Sequence, residues 1–102
     1  MTTIIFDSDA KIEFLQSIAY YEENKPGLGR RFKQMVELAT RDIADHPLRY
    51  RTIRPPFKRY LLQKFPFSII YTIEPDHIYI VAIAHTRRKP EYWLDRTKSQ
   101  SD

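Results

Sequence analysis

The chain has 102 residues, no cysteine and a formal net charge of +4 at pH 7. That length makes a single domain, large enough to fold on its own core without metal or disulfide staples. The lack of cysteine excludes a disulfide framework, Cys-ligated zinc and a thiol nucleophile, and suits the reducing cytoplasm expected as its location. With 42% hydrophobic and 29% charged residues, the composition is that of a globular protein and excludes wholesale disorder. No apolar run approaches the ~20 residues of a membrane helix, so no membrane partner is expected. Residues 1–7 lack the basic start of a signal peptide.

Residues 3–6 are short and β-branched and predict a first strand. Asp7-Ser8-Asp9 supplies N-cap oxygens for a helix. Ile12, Leu15, Ile18 and Ala19 recur at helical spacing, and Phe14 and Tyr21 widen that stripe. Pro26-Gly27 ends this helix near Asn24-Lys25. A second helix follows, with Leu28, Phe32, Met35, Val36, Ala39 and Ile43 on its buried face. Its outer face carries Arg30, Arg31, Lys33, Glu37 and Arg41, and His46-Pro47 stops it. The two helices read as an αα-hairpin.

The rest is strand-like. Residues 50–54 predict a weak strand closed by Pro55-Pro56, and residues 58–65 a second. Pro66 forces an edge or a bulge where the next strand begins. Residues 67–74 and 77–85 are the strongest strands, and the latter is apolar on both faces, as a central strand covered on both sides must be. Residues 90–96 predict a short closing helix with Pro90 in its first turn. Residues 97–102 form a polar, frayed tail outside a domain of residues 1–96. The order β-α-α-β-β-β-β predicts an α+β fold, with the N-terminal strand and helical hairpin packed on one face of a mainly antiparallel, four- to five-stranded sheet.

The charge is uneven. Residues 1–48 hold 6 Lys/Arg against 8 Asp/Glu, and residues 49–102 hold 11 against 5. No carboxylate falls between Asp45 and Glu74, a span that contains Arg49, Arg51, Arg54, Lys58, Arg59 and Lys64. A one-signed patch of this kind attracts nucleic acid or an acidic protein. His85, Arg87 and Arg88 end the last strand; His85 reads either as a general base beside two cations or as a strand-end residue bonded to backbone. Tyr20, Tyr21, Tyr60, Tyr71 and Tyr79 read as core or sheet-face aromatics, and Tyr92-Trp93 as an anchor for the tail. Three scattered histidines make no metal site, and no cofactor is expected.

Three segments together resemble the RelE/ParE superfamily of type II toxin–antitoxin toxins. They are Ala19-Tyr20-Tyr21-Glu22 with Pro26-Gly27-Leu28-Gly29-Arg30-Arg31-Phe32, then Phe65-Pro66-Phe67-Ser68-Ile69-Ile70-Tyr71, then His85-Thr86-Arg87-Arg88-Lys89-Pro90-Glu91-Tyr92-Trp93. The resemblance covers nearly the whole chain. It implies a growth-inhibiting toxin of a plasmid-stabilisation system, neutralised by a cognate antitoxin. The superfamily divides in function: RelE-like members cut mRNA on the ribosome, and ParE-like members poison DNA gyrase. RelE-like cleavage draws on middle-strand cations, an Arg early in the penultimate strand, and a C-terminal Arg with Tyr or His. Carried over, these fall on Lys58 or Arg59, on Ser68, on Arg87 or Arg88, and on Tyr92 or Trp93. Ser68 removes a phosphate-facing cation, and the His-x-Arg-Arg run followed by Pro and an aromatic pair is similar to the ParE branch, which is favoured. As a ribonuclease the chain would use His85, Arg87 and Tyr92. Under either activity Arg54, Lys58, Arg59, Lys64, Arg87 and Arg88 are the candidate nucleic-acid or target-binding residues. The expected partners are the antitoxin and either gyrase or the ribosome with its mRNA.

Overall fold

The structure, a computed structural model, describes residues 2–98. In chain order the elements are β1 (Thr3–Phe6), α1 (Ser8–Asn24), α2 (Leu28–Asp45), β2 (Arg51–Arg54), β3 (Phe57–Leu61), β4 (Phe67–Ile73), β5 (His77–His85) and α3 (Asp95–Lys98). The five strands form one sheet in the order β1-β5-β4-β3-β2. Only β1 and β5 run parallel; the other three pairs are antiparallel. This is the predicted α+β arrangement; β4 is the middle strand, and β5, expected to be central, is an interior strand between β1 and β4, covered on both faces. No helix among the described residues is long and apolar enough to cross a membrane.

Local chemistry sets the helix ends. The Asp7 carboxylate accepts the N–H groups of Asp9 at 2.9 Å and Ala10 at 3.3 Å, capping α1. Gly27, at φ 90°, turns the chain through the left-handed region into α2. No side chain of its own caps α2. Instead Glu22 reaches over from α1 and accepts from the N–H groups of Gly27 at 2.9 Å and Gly29 at 3.1 Å. The two helices cross closely at Gly29, where an added Cβ would lie 2.5 Å from the Ile18 carbonyl oxygen. At the far end of α2, Tyr71 donates to the Pro47 carbonyl at 2.6 Å and Tyr60 to Asp42 at 2.9 Å, tying the helix to the sheet.

The helices cover one face of the sheet. Phe32, Val36, Ala39 and Ile43 of α2 pack with Ile69, Tyr71, Ile78, Ile80 and Ile83. The expected face of α1 needs correction: Ile12 and Leu15 are 48% and 54% exposed, and Ala19 is also exposed. Phe14, Ile18 and Tyr21 of the expected stripe do point inward, joined by Ala10, which that stripe left out. Both sets have helical spacing, and the aromatic cluster of Phe14, Tyr21, Phe32, Phe65 and Phe67 selects the second. Tyr20, read as a core aromatic, is exposed.

The sheet's opposite face has its own core, built on Phe57, Ile70, Tyr79, Val81, Ala82 and Ala84 and covered by Trp93. Two boundaries differ from expectation. β3 stops at Leu61, paired with Ser68, because residues 62–66 are spent on the connection, with Lys64 at φ 73°. The closing helix covers only Asp95–Lys98; Pro90–Leu94 forms turns, since Glu91 at φ 66° cannot continue a helix. Of the expected frayed tail, residues 97–98 belong to α3, and residues 99–102 lie outside the described residues.

Candidate functional site

The tail after β5 makes the site. The Thr86 N–H bonds the Pro66 carbonyl at 2.8 Å and the Arg88 N–H that of His85 at 3.0 Å, which bends the chain out of the strand. The left-handed Glu91 then sends it across the face away from the helices. There Trp93 is 3% exposed, its ring centroid 4.7 Å from that of Phe57.

One carboxylate holds this tail. Glu13 of α1 accepts from the Tyr92 hydroxyl at 2.6 Å, from Arg96 at 2.8 and 3.0 Å, and from the Ile83 N–H at 3.0 Å. Arg96 also donates to the Val81 carbonyl at 3.0 Å. The reason lies in the sheet. β1 pairs with β5 only as far as Ile80, so beyond that point β5 presents an open edge. Val81 is also skipped in the β4 register, where Ile70 faces Ala82 and Tyr71 faces Ile80. Glu13 and Arg96 thus supply, from side chains, the acceptor and donor that a neighbouring strand would have given. Burial, then the hydrogen bond and charge of Glu13, push the Tyr92 phenol well above its ordinary range, against the smaller pull of Arg96 and Arg88.

Between the tail, β3, β4 and the end of β5 lies a cleft of about 290 Å³. Arg59, Ser68, His85, Arg88, Lys89 and Tyr92 are among its lining residues. Residues 4–90 match the family described as the ParE toxin of the type II toxin–antitoxin system parDE. The chain belongs to the ParE toxin family. Its fold resembles a solved chain titled "Chromosomal ParDE TA system from P. aeruginosa", with a TM-score of 0.75 at 14% identity. That alignment covers 85% of this toxin and 98% of the other chain. No curated protein matches the sequence.

The structure gathers some of the toxin's predicted site residues and separates others. His85 sits at the cleft mouth with its ring edge-on to Phe67, centroids 5.1 Å apart. Its Nδ1 accepts the Arg87 backbone N–H at 3.0 Å. A backbone N–H only donates, so the ring's lone pair is engaged and the ring proton sits on Nε2. The Arg87 side chain is exposed on the turn and does not line the cleft. Arg88 lies over the Tyr92 ring at 3.9 Å and approaches Glu13 at 3.9 Å.

Lys58 and Arg59 are neighbours on β3 and therefore face opposite sides of the sheet. Arg59 stands opposite Ile70 on the cleft side. Lys58, opposite Tyr71 on the helix side, is engaged by the Tyr50 carbonyl at 3.1 Å and the Thr52 hydroxyl at 3.0 Å. Arg54 pairs with Glu91 at 3.0 Å on the cleft rim. Lys64 lies elsewhere, beside a groove of about 410 Å³ between α2 and the loop before β4. Sequence reasoning missed Glu13 and gave Arg96 no role. The signal for Glu13 was its position beside Ala10 and Phe14, a carboxylate bordering the stripe that is in fact buried.

Proposed function

We propose that this toxin poisons DNA gyrase, stalling it on cleaved DNA in the cytoplasm, and that a cognate antitoxin neutralises it. Family membership supports the toxin role. What favours gyrase over mRNA is the state of the two groups that RNA cleavage would need. A general base requires a free lone pair, and an acid requires a proton it can release near neutral pH. The His85 lone pair is occupied by the Arg87 N–H. The Tyr92 hydroxyl donates its proton in a hydrogen bond to Glu13, and its phenol is pushed above its ordinary range. Ser68 puts a hydroxyl where phosphate stabilisation calls for a cation. A toxin that acts by gripping another enzyme needs none of these groups.

The groove between α2 and the loop before β4 supports the antitoxin assignment. Leu28, Met35, Leu38 and Phe65 line it, with Arg31 and Lys64 alongside. Leu38 is exposed although it is a large apolar side chain. Apolar anchors flanked by cations suit an amphipathic, acidic antitoxin segment.

The deciding experiment is induced expression in a bacterial host that carries a DNA-damage reporter, with growth followed in parallel. The expected result is arrest with the reporter on, relieved by co-expressed antitoxin. Arrest with a silent reporter and newly cut mRNA overturns the gyrase assignment.

A further inference from the structure

We infer that the cleft between β3 and the tail is a binding site for a nucleic-acid phosphodiester backbone, which it holds without cutting. The inference stands on the cleft's own geometry and not on the cellular target proposed above.

The cations come first. Arg59, Arg88 and Lys89 line the cleft, and Arg51 stands directly opposite Arg59 in the β2–β3 register. Like charges placed opposite each other on adjacent strands destabilise the sheet unless something neutralises them. Among the described residues, Arg51, Arg59 and Lys89 form no ion pair. The one carboxylate in the lining, Glu91, is met by Arg54 at 3.0 Å. Arg88 has only a 3.9 Å approach to Glu13, whose charge Arg96 meets at 2.8 Å. The cleft therefore carries a net positive charge, since its one lining carboxylate is already paired with Arg54.

The remaining surfaces decide which anion. A base would need a free aromatic face for stacking. Trp93 is buried against Phe57, and the Tyr92 ring is covered by Arg88 at 3.9 Å and Arg96 at 5.1 Å. A peptide partner would need apolar anchor pockets. Here Ile70, Ala84 and Trp93 are all buried in the second core, whereas the toxin's exposed apolar groove lies elsewhere, beside α2. What the cleft offers is fixed charge and a hydroxyl, Ser68, in a volume just below the roughly 300–1,000 Å³ range of ligand sites. That chemistry recognises phosphate oxygens independently of sequence. It does not cut, because the His85 lone pair and the Tyr92 proton are both held inside the protein.

The test is fluorescence anisotropy of the purified full chain, without gyrase, on labelled duplex DNA, single-stranded DNA and RNA. With three cations engaged, the log–log salt slope should be about −2.7 on duplex and about −2.1 on single strands. That corresponds to a roughly forty-fold loss on duplex between about 50 and 200 mM salt. Arg59→Ala should lower the duplex slope to about −1.8, a roughly twelve-fold loss over the same span. Arg41→Ala removes an exposed cation on α2, outside the cleft, and should change neither affinity nor slope. Trp93 fluorescence verifies that each variant is folded. RNA should be bound and recovered intact, with dA and dT tracts bound alike. Equal losses from Arg41→Ala and Arg59→Ala overturn the cleft assignment, and so does binding of poly-glutamate as tight as that of DNA. Cut RNA overturns holding without cutting. Because gyrase is absent, these outcomes are independent of the growth experiment.

Discussion

Replacing Glu13 with alanine should cost the fold about 3 kcal/mol. The change strands three donors at once: the Ile83 N–H, the Tyr92 hydroxyl and the Arg96 guanidinium. Breaking one side of a buried ion pair costs about 3–5 kcal/mol. The Glu13 and Arg96 side chains are 13% and 14% exposed, and this partial access to water places the cost at the low end. A domain of this size loses roughly 4–8 °C of melting temperature per kcal/mol, so Tm should fall by about 12–24 °C. Glu13→Gln keeps an acceptor and loses the charge, and should cost about 1–2 kcal/mol. The assay is equilibrium urea unfolding, followed through the fluorescence of Trp93, the chain's single tryptophan. Adding Arg96→Met to Glu13→Ala removes the cation that has lost its Glu13 carboxylate, so the double variant should be more stable than the two single costs predict, by about 1–3 kcal/mol. A cost below about 1 kcal/mol for Glu13→Ala, the level of an exposed pair, refutes this account of the clamp. So do additive costs in the double variant.

Gly29→Ala should destabilise the hairpin by about 1–3 kcal/mol despite alanine's better helix propensity, because the new Cβ meets the Ile18 carbonyl at 2.5 Å. A rise in Tm for this variant would show that the helices can move apart freely. Burial raises the phenols of Tyr60 and Tyr71 to about 12, with the Asp42 hydrogen bond adding to the shift at Tyr60. The folded state holds these protons more tightly than the unfolded chain, whose tyrosines titrate near 10. Their stabilisation is therefore complete below pH 10 and lost as pH rises toward 12. The urea midpoint should fall over that window and fall less in Tyr71→Phe; a flat midpoint contradicts the assignment. Antitoxin binding should weaken as salt rises, because Arg31 and Lys64 flank the apolar groove. Isothermal titration that finds the same affinity at low and high salt rules out the acidic segment.

Much of the fold was legible because punctuation and period agreed. Pro26-Gly27, His46-Pro47 and Glu74-Pro75-Asp76 each interrupt a clear periodicity, and the element ends fall beside them. The face of α1 was ambiguous because apolar residues lie on two sides of that helix; only the aromatic cluster contributed by α2 and the loop before β4 separates Ala10-Phe14-Ile18-Tyr21 from Ile12-Leu15-Ala19. That error concealed Glu13, which reads as surface on one choice and as half-buried on the other. In the site, the cluster of His85, Arg88 and Tyr92 was visible because these residues are close in sequence. Arg59 needed the strand register to place it on the cleft side. Two-residue alternation alone could have warned that Lys58 and Arg59 do not share a face. The end of β3 was misplaced because residues 62–65 have strand-like composition, while Lys64 adopts a turn conformation that its residue type does not advertise.

The bond between Glu13 and Arg96 joins residues 83 positions apart, and it bears on how the toxin is made. A nascent chain presents the helical hairpin first, with its apolar stripe facing nothing. β1 has no partner until β5 has been translated, since its only sheet neighbour is that last strand. The second core waits longer still, for Trp93. A ribosome that stalls before β5 therefore releases a helical hairpin and four strands, of which β2, β3 and β4 can pair while β1 is left without a neighbour. Such fragments expose apolar surface and fall to aggregation or proteolysis. The fold closes only once Trp93 and Arg96 have been made.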